Sequence, residues 1–576
     1  MNITERDNSG WEQLPDSWPD CLRKVLAARG IKSEQDLTYP LAELPKPDLL
    51  LGMDKAVALL EQALQQNWRI MIVADFDTDG ATSCAVAIRG LTAMGVNHID
   101  YIVPNRFVHG YGLTPELLAD IPQENQPELL ITVDNGIASV AGVEEAHKRG
   151  IKVLVTDHHL PGEILPKAEA IINPNQHADE FPSKNMAGVG VCFYLLLGLR
   201  QHLRQQGWFE QQTIPEPKLT DLLDLVALGT VADVVPLDRL NRTLVNLGLT
   251  RMRKSLACAG INALVQVAGK QTSQLATSDL GFAVAPRLNA AGRMEDMGLG
   301  INTLLTDDYD EALTAAQLLD QINIDRRAVE KDMQDQALQM LEKMSFDQQE
   351  QPLAYCLYDD SWHQGVVGLL ASRIKERQHR PVIAFAPGDE GEIKGSARSI
   401  PGIHIRDVLA LVAAQNPELL SKFGGHAMAA GLTLKQQDLN AFEHALLTVL
   451  NEQVETDVLE QKLNSDGDIA HQDISLALAE LLPSAAPWGQ GFPEPQFHGQ
   501  FKVENIRTVG QEGDHLRLTL SLNNNKNITA MAFRQQQPDW LIQSGEAILH
   551  YRLSVNEFRN QRSVQMLVEN LLPVSD

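Results

Sequence analysis

Residues 69–80 read RIMIVADFDTDG: an apolar run closes on three aspartates at every second position, then a glycine. So short an apolar run, with few polar interruptions, predicts a parallel strand over Arg69–Ala74 that is covered on both faces. Thr82–Met94 behind it reads as a helix. Working outward, short apolar strands are predicted at Asp100–Val103, Leu129–Val133, Val153–Thr156 and Ala170–Ile172. Helical stretches lie between several of them, notably Ala138–Arg149. Strand and helix alternating at this spacing specify a doubly wound parallel sheet. In such a sheet the carboxyl ends of the strands share one edge, and ligands bind there.

Acids and histidines gather at that edge. Asp75, Asp77 and Asp79 follow the first strand, Asp134 ends another (Val133-Asp134-Asn135-Gly136), and His158 and His159 end a third (Thr156-Asp157-His158-His159). Asp233 closes the helical segment DLLDLVALGTVAD and completes the set. A lone Asp-x-Asp is usually a solvated turn, and a lone His-His a surface or satisfied core pair. Four clusters in order, three of them at strand ends, outweigh those bland readings. Carboxylates crowded in a cleft repel one another unless cations neutralise them. Carboxylate oxygens with one or two imidazoles suit Mg²⁺ or Mn²⁺. Two such ions polarise a phosphoryl oxygen and generate hydroxide for in-line attack.

The length of 576 residues predicts three to four domains. An N-terminal extension (1–65) precedes the parallel-sheet domain (66–255). A helical segment ending in a long helix, Tyr309–Met344 without Gly or Pro, fills 256–345. A second α/β domain spans 346–456, with strands near Ala354–Leu357 and Val382–Phe385. Short alternating segments after Pro493 make 457–576 a small antiparallel barrel domain. The net charge of −27 argues at face value against a polyanionic partner. Yet Arg239–Gly300 holds eight basic side chains against three acidic, and 490–576 holds eight against nine. The first of these is a solvated basic face or a binding surface. The longest apolar run, Val191–Leu199, is nine residues, too short for a membrane span. The N-terminus has no signal-peptide pattern, and five scattered cysteines without Cys-x-x-Cys suit a reducing cytosol. A cytoplasmic protein with no membrane partner is expected.

In this order, DFDTDG, VDNG, TDHH and VADVVPL resemble the first four motifs of the DHH phosphoesterase superfamily. FGGHAMAAG (Phe423–Gly431) is similar to the glycine-rich motif of the associated DHHA1 domain. APRLNAAGRM (Ala285–Met294), WHQGVVGLLASRI (Trp362–Ile374) and PWGQGFPEP (Pro487–Pro495) narrow the resemblance to the superfamily's bacterial single-strand-specific DNA exonucleases, from about residue 45 onward. The resemblance implies an α/β fold of two α/β lobes, a DHH parallel-sheet domain and a DHHA1 domain. A long helix would join them, and an OB-like β-barrel would follow.

It also implies roles. Asp77 and Asp79 match first-motif metal ligands, Asp134 the carboxylate bridging two metals, His158 a ligand of the second metal and Asp233 the last acidic ligand. His159 matches a catalytic imidazole near the scissile phosphate, and Asp75 a ligand or a supporting acid. Many superfamily members carry a His where this chain has Val73, so the first metal has one protein ligand fewer unless Asp75 or water stands in. Arg287 and Arg293, flanking a small-residue loop (LNAAG), would hold the 5′ end or nearby backbone, since an arginine fork suits a phosphate. Lys394-Gly395-Ser396-Ala397-Arg398 and Gly424-Gly425-His426 have the make-up of a phosphate nest, in which Ser396, Arg398, Gly424, Gly425 and His426 bind substrate. Trp362 and His363 open a helix, with His363 near the substrate. Phe501, Phe533 and Phe558 are candidate base-stacking residues, each more readily placed in the core.

The expected activity is two-metal (Mg²⁺ or Mn²⁺) degradation of single-stranded DNA from the 5′ end to mononucleotides, in repair and recombination. A single strand would enter a cleft between the lobes. By resemblance the partners are a single-stranded DNA-binding protein and a DNA helicase, and the enzyme is a monomer. Two alternatives stay open: a phosphodiesterase for short oligonucleotides or cyclic dinucleotides, and a non-catalytic replication scaffold.

Overall fold

The computed structural model describes residues 2–347, 351–510, 513–522, 526–559 and 561–574. Of the anticipated second α/β segment 346–456, residues 348–350 lie outside these. The chain divides into a larger unit, Glu5–Asp320 with Asn464–Asp576, and a smaller one, Gln321–Leu463 with the first few residues.

In the larger unit five strands form the expected parallel sheet: β1 (Ile70–Ala74), β2 (Ile99–Ile102), β3 (Leu129–Val133), β4 (Lys152–Thr156) and β5 (Ala170–Ile172). Their order is β2-β1-β3-β4-β5. Alternate residues serve two cores, which is why the strands read as unbroken apolar runs. Ile70, Ile72, Ala74, Ile131 and Val133 join one core, while Met71, Val73, Leu130, Val153 and Val155 join another with Leu117, Val143 and Ala146. Burial of each Val, Leu, Ile or Met side chain among them contributes roughly 1.5–3 kcal/mol. After β2 the chain returns to the other side of β1, so the crevice between the carboxyl ends of β1 and β3 is the topological switch point.

Five helices frame that crevice: α1 (Thr78–Ala93), α2 (Val140–Lys148), α3 (Gly188–Gln205), α4 (Leu223–Ala232) and α5 (Ala285–Met294). Two of them correct the sequence reading. Helix α1 starts four residues before the expected Thr82, because the Asp77 carboxylate accepts a hydrogen bond from Gly80 N (3.1 Å) and caps it. The LNAAG stretch is no loop; it lies inside α5, which Pro286 opens in its first turn.

Helix α6 (Tyr309–Asp347) is a single element of 39 residues, roughly 58 Å long. In the smaller unit, strands β6 (Tyr355–Tyr358), β7 (Val382–Pro387), β8 (Glu392–Arg398), β9 (Lys422–Gly425) and β10 (Ala429–Lys435) form a mixed sheet, order β9-β10-β8-β7-β6. Only β6 and β7 run parallel. Lys394–Arg398 and Gly424–Gly425, which have the make-up of a phosphate nest, are strand residues. Helix α7 (Val367–Gln378) begins after Trp362 and His363, which lie in the turn before it. Trp362 is buried and donates its indole N–H to Gln336 Oε1 (2.8 Å), so it packs.

Five C-terminal strands, β11 (Phe497–Val509), β12 (His515–Ser521), β13 (Asn527–Ala532), β14 (Glu546–Phe558) and β15 (Gln561–Leu572), close into a barrel of order β11-β12-β13-β15-β14. Phe501 is in its core, but Phe533 and Phe558 are 51% and 64% exposed, against the core reading. The barrel interior is continuous with the core of the parallel-sheet domain. Arg29 adds a bidentate ion pair to Asp466 and hydrogen bonds to the Pro493 carbonyl. Among the described residues no helix is long and apolar enough to cross a membrane.

Candidate metal centre

Each predicted ligand is delivered by the end of an element at the switch point. Asp75 and Asp77 follow β1, and Asp79 occupies the first turn of α1. The Asp79 carboxylate accepts from Gly188 N (2.6 Å) and Val189 N (3.0 Å), buried first-turn amides of α3 that have no partner within the helix. Asp134 follows β3 with a φ of 62°, a left-handed conformation that turns its side chain off the strand path. Helix α3 approaches so closely that a Cβ on Gly188 would lie 2.5 Å from that of Asp134. His158 Nε2 lies 3.2 Å from Asp134 Oδ1 and 3.4 Å from Asp233 Oδ2. Asp233 caps the far end of α4.

Three overlapping sets of side chains could hold metal ions: Asp75, Asp77 and Asp134; Asp79, His158 and Asp233; and Asp134, His158 and His159. Within each set the ligand atoms lie within 4.8 Å of one another. All seven predicted residues are therefore brought together, and Asp134 belongs to two of the three sets. Asp75 Oδ1 is buried yet accepts no hydrogen bond, as a carboxylate kept for a cation would be. The oxygen-rich donor set fits Mg²⁺ or Mn²⁺. Val73 faces the apolar core, leaving the ligand role on this strand to the acids beyond it.

The electrostatics agree with this arrangement. Burial, and then the charges of neighbouring aspartates, push Asp75, Asp134 and Asp233 well above the usual carboxylate range and hold Asp79 at about 7. Burial alone would lower His159. The hydrogen bond to Asp157 (Nδ1 to Oδ1, 2.7 Å) and the charges of Asp157, Asp233 and Asp75 outweigh it and raise His159 to about 9. Carboxylates whose folded-state pKa is raised stabilise the metal-free fold at low pH and lose that contribution as pH climbs through the raised value. Mn²⁺ should therefore raise the melting temperature more at pH 8 than at pH 5. Equal shifts at both pH values in differential scanning fluorimetry would contradict a carboxylate-built centre.

The structure uses the basic stretch Arg239–Gly300 differently from the binding-surface reading. Arg239 pairs with Glu43, Arg251 with Asp221, Lys270 with Asp279 and Arg287 with Asp320 (2.6–2.8 Å). Arg242 lies over the Phe492 ring, and Arg253 donates to the Leu275 carbonyl. At least six of the eight are thus engaged within the protein. Arg287 and Arg293 both sit on α5, whose Asn289 Oδ1 accepts from Thr78 N (2.8 Å) in the metal-bearing turn. In the same helix a Cβ on Gly292 would fall 1.8 Å from the Phe76 carbonyl oxygen. The small residues of this motif let α5 lie directly against the DFDTDG turn.

The remaining predicted residues belong to the smaller unit. Strand register sets Ser396 beside Gly431 and Gly431 beside Gly424, with Arg398 beside Ala429. Arg398 Nη1 donates to Ser396 Oγ (2.9 Å), and burial lowers its pKa. His426 opens the turn after β9, its N–H on the Ala429 carbonyl. His363 Nδ1 accepts from Gly365 N (3.1 Å) ahead of α7, and Gly368 lies against Ser396 and Arg398.

Three residues at the centre escape the sequence reading. The Tyr111 hydroxyl donates to the Asp134 carbonyl (3.1 Å) and lies 3.2 Å from His159 Nδ1. The Arg106 guanidinium stacks 4.0 Å from the Phe76 ring centroid and is attracted by Asp75 and Asp77. Asp157 figures in the sequence only as part of the triplet, yet it orients His159. Arg106 and Tyr111 follow the carboxyl end of β2, the same signal that marks the ligands.

Sequence comparison places these features in a family. The chain matches the DHH family, N-terminal domain over residues 69–230, the DHHA1 domain over 350–454 and the RecJ OB domain over 465–570. It is 50% identical to the single-stranded-DNA-specific exonuclease RecJ of Dickeya dadantii, covering 98% of this chain and 97% of that one. To the protein of the same name from Escherichia coli it is 46% identical, covering 100% and 99%. The crystal structure of RecJ in complex with Mn²⁺ from Thermus thermophilus is similar with a TM-score of 0.78 at 29% identity, covering 100% of this chain and 79% of that one. With half its residues shared along nearly its whole length, and with all three domains matched, the chain belongs to the RecJ family.

Proposed function

We propose that this chain is a single-stranded-DNA-specific exonuclease that degrades the strand from its 5′ end to mononucleotides in DNA repair and recombination. The observation that carries the reading is the gathering of Asp75, Asp77, Asp79, Asp134, His158, His159 and Asp233 at the switch point. Asp75, Asp77 and Asp134 would hold one divalent ion, Mg²⁺ or Mn²⁺, and Asp79, His158 and Asp233 the other, with Asp134 bridging. When bound, the ions polarise a phosphoryl oxygen and acidify water at the site. The chain's own groups do the rest. His159, oriented by its hydrogen bond to Asp157, would present its outer nitrogen to an oxygen of the scissile phosphate and stabilise charge there. Arg106 adds a second cation beside Asp75 and Asp77. Arg287, Arg293, His363, Ser396, Arg398, Gly424, Gly425 and His426 would bind the strand, and the barrel's exposed Phe533 and Phe558 can stack on bases. The division of labour would follow domain limits at 65, 255, 345 and 456. A single-stranded DNA-binding protein and a helicase would be its partners, with the enzyme a cytoplasmic monomer.

The test is digestion of 3′-labelled, 5′-phosphorylated single-stranded DNA beside the same sequence as a blunt duplex, with Mn²⁺ or with chelator. Single strands should yield mononucleotides only with metal, and the duplex should persist. Faster hydrolysis of a cyclic dinucleotide than of the long strand would favour the small-substrate phosphodiesterase instead. Binding without cleavage would favour the scaffold.

A further inference from the structure

The two histidines of the Asp157-His158-His159 triplet lie beyond the end of β4, where the sheet ladder no longer holds the backbone. Every main-chain polar group of the pair is instead held by a side chain. The Asp157 carboxylate accepts from His158 N (2.7 Å) and His159 N (3.1 Å). On the other side, the Asn175 amide donates to the His158 carbonyl (2.6 Å) and the Asn173 amide to the His159 carbonyl (2.9 Å). Both asparagines come from Asn173-Pro174-Asn175, directly after the edge strand β5.

The clamp is itself braced. Asn173 is fully buried, and its Oδ1 accepts from Asn175 N (2.7 Å), closing the turn. Lys184 donates to the Pro174 carbonyl (2.6 Å), and Gln176 to the Ile171 carbonyl (3.1 Å). A histidine ring is placed by its backbone before its rotamer, so a loop without ladder bonds needs such anchors to hold His158 Nε2 between Asp134 and Asp233.

We infer that Asn173 and Asn175 are positioning residues of the metal centre. Asn175 sets His158 for the second ion, and Asn173 sets His159 for the phosphate. The inference rests on the metal-ligand reading of His158 given above. Neither asparagine touches a metal-ligand atom, so each acts through a histidine.

Replacement by aspartate tests this, because it keeps the shape, and at 173 the turn-closing acceptor, but removes the donor. Asn175→Asp should weaken Mn²⁺ binding to the full-length protein, measured by calorimetry, about 10- to 100-fold. Its KM for single-stranded DNA at saturating Mn²⁺ should stay near wild type. Asn173→Asp should bind Mn²⁺ nearly as wild type but lose kcat by about 10- to 100-fold. Should Asn175→Asp not fold, Asn175→Ala removes the same donor without adding a charge and is judged by the same measurement. Folded variants with wild-type Mn²⁺ affinity and kcat overturn the inference. So does a lowered melting temperature with unchanged Mn²⁺ affinity and kcat, which would make the pair simple structural support. His158→Ala is the control. Wild-type Mn²⁺ affinity in that variant would overturn the ligand reading itself, whereas its loss beside unaffected asparagine variants would overturn only the positioning role.

Discussion

Asp134→Asn is expected to lower kcat on single-stranded DNA by on the order of 10³-fold or more while the protein stays folded. Asp134, like His158, belongs to two of the three ligand sets, and its carboxylate lies 3.2 Å from His158 Nε2, so in the proposed arrangement its loss would weaken both ion sites at once. Asparagine is the informative replacement, because it tolerates the 62° φ, whereas alanine there would add about 1–2 kcal/mol of backbone strain. The change also removes a buried carboxyl that burial, Asp79, Asp77 and Asp233 already disfavour as an anion. The metal-free variant should therefore melt no lower than the metal-free wild type, and its Mn²⁺-induced rise should largely vanish. Thermal melts with and without Mn²⁺, beside turnover, check both halves. Retained turnover would end the shared-ligand description.

Gly292→Ala should also lower turnover substantially, from a residue that carries no chemistry. Its new Cβ would sit 1.8 Å from the Phe76 carbonyl oxygen and 3.0 Å from Met297 Cε. The first obstacle is backbone, so either α5 or the DFDTDG turn must move. Overpacking of this kind costs about 1–3 kcal/mol. A displacement of about 1 Å in the metal-bearing turn can lower turnover about 10²-fold. Arg287 and Arg293 remain chemically intact in this variant, so KM should change less than kcat. Wild-type kcat and Mn²⁺ affinity together would mean that α5 does not buttress the turn.

Most of the parallel sheet is legible in the sequence because burial on two faces leaves unbroken apolar runs, and Leu129–Val133 and Ala170–Ile172 match the observed strands residue for residue. The acids and histidines at the centre are legible because they stand at strand ends, where topology brings them to one edge. Thr78-Asp79-Gly80 reads as loop because its helix propensity is poor; the Asp77 cap and the packing of α3 decide otherwise. The asparagine and glycine of LNAAG suggest a loop, yet these two, Asn289 and Gly292, serve contacts with a turn more than two hundred residues earlier. Lys394–Arg398 becomes a strand only through pairing with β7 and β10, a non-local cause that no window of residues reveals. The partners of Arg239 and Arg287, Glu43 and Asp320, are likewise invisible until the chain folds.

Those internal ion pairs bear on how the protein meets a nucleic acid at all. A strand in solution carries a sheath of condensed cations, and a basic protein gains affinity by setting them free. For single strands, log K changes with log salt by about −0.7 per phosphate neutralised. Here at least six of the eight basic side chains in the one strongly basic stretch already have partners, on a chain of net charge −27. Little of this reservoir is left to trade for counterions. The salt dependence of strand binding should therefore be shallower than that of a broadly basic protein, a slope that binding measured across a salt series would read directly.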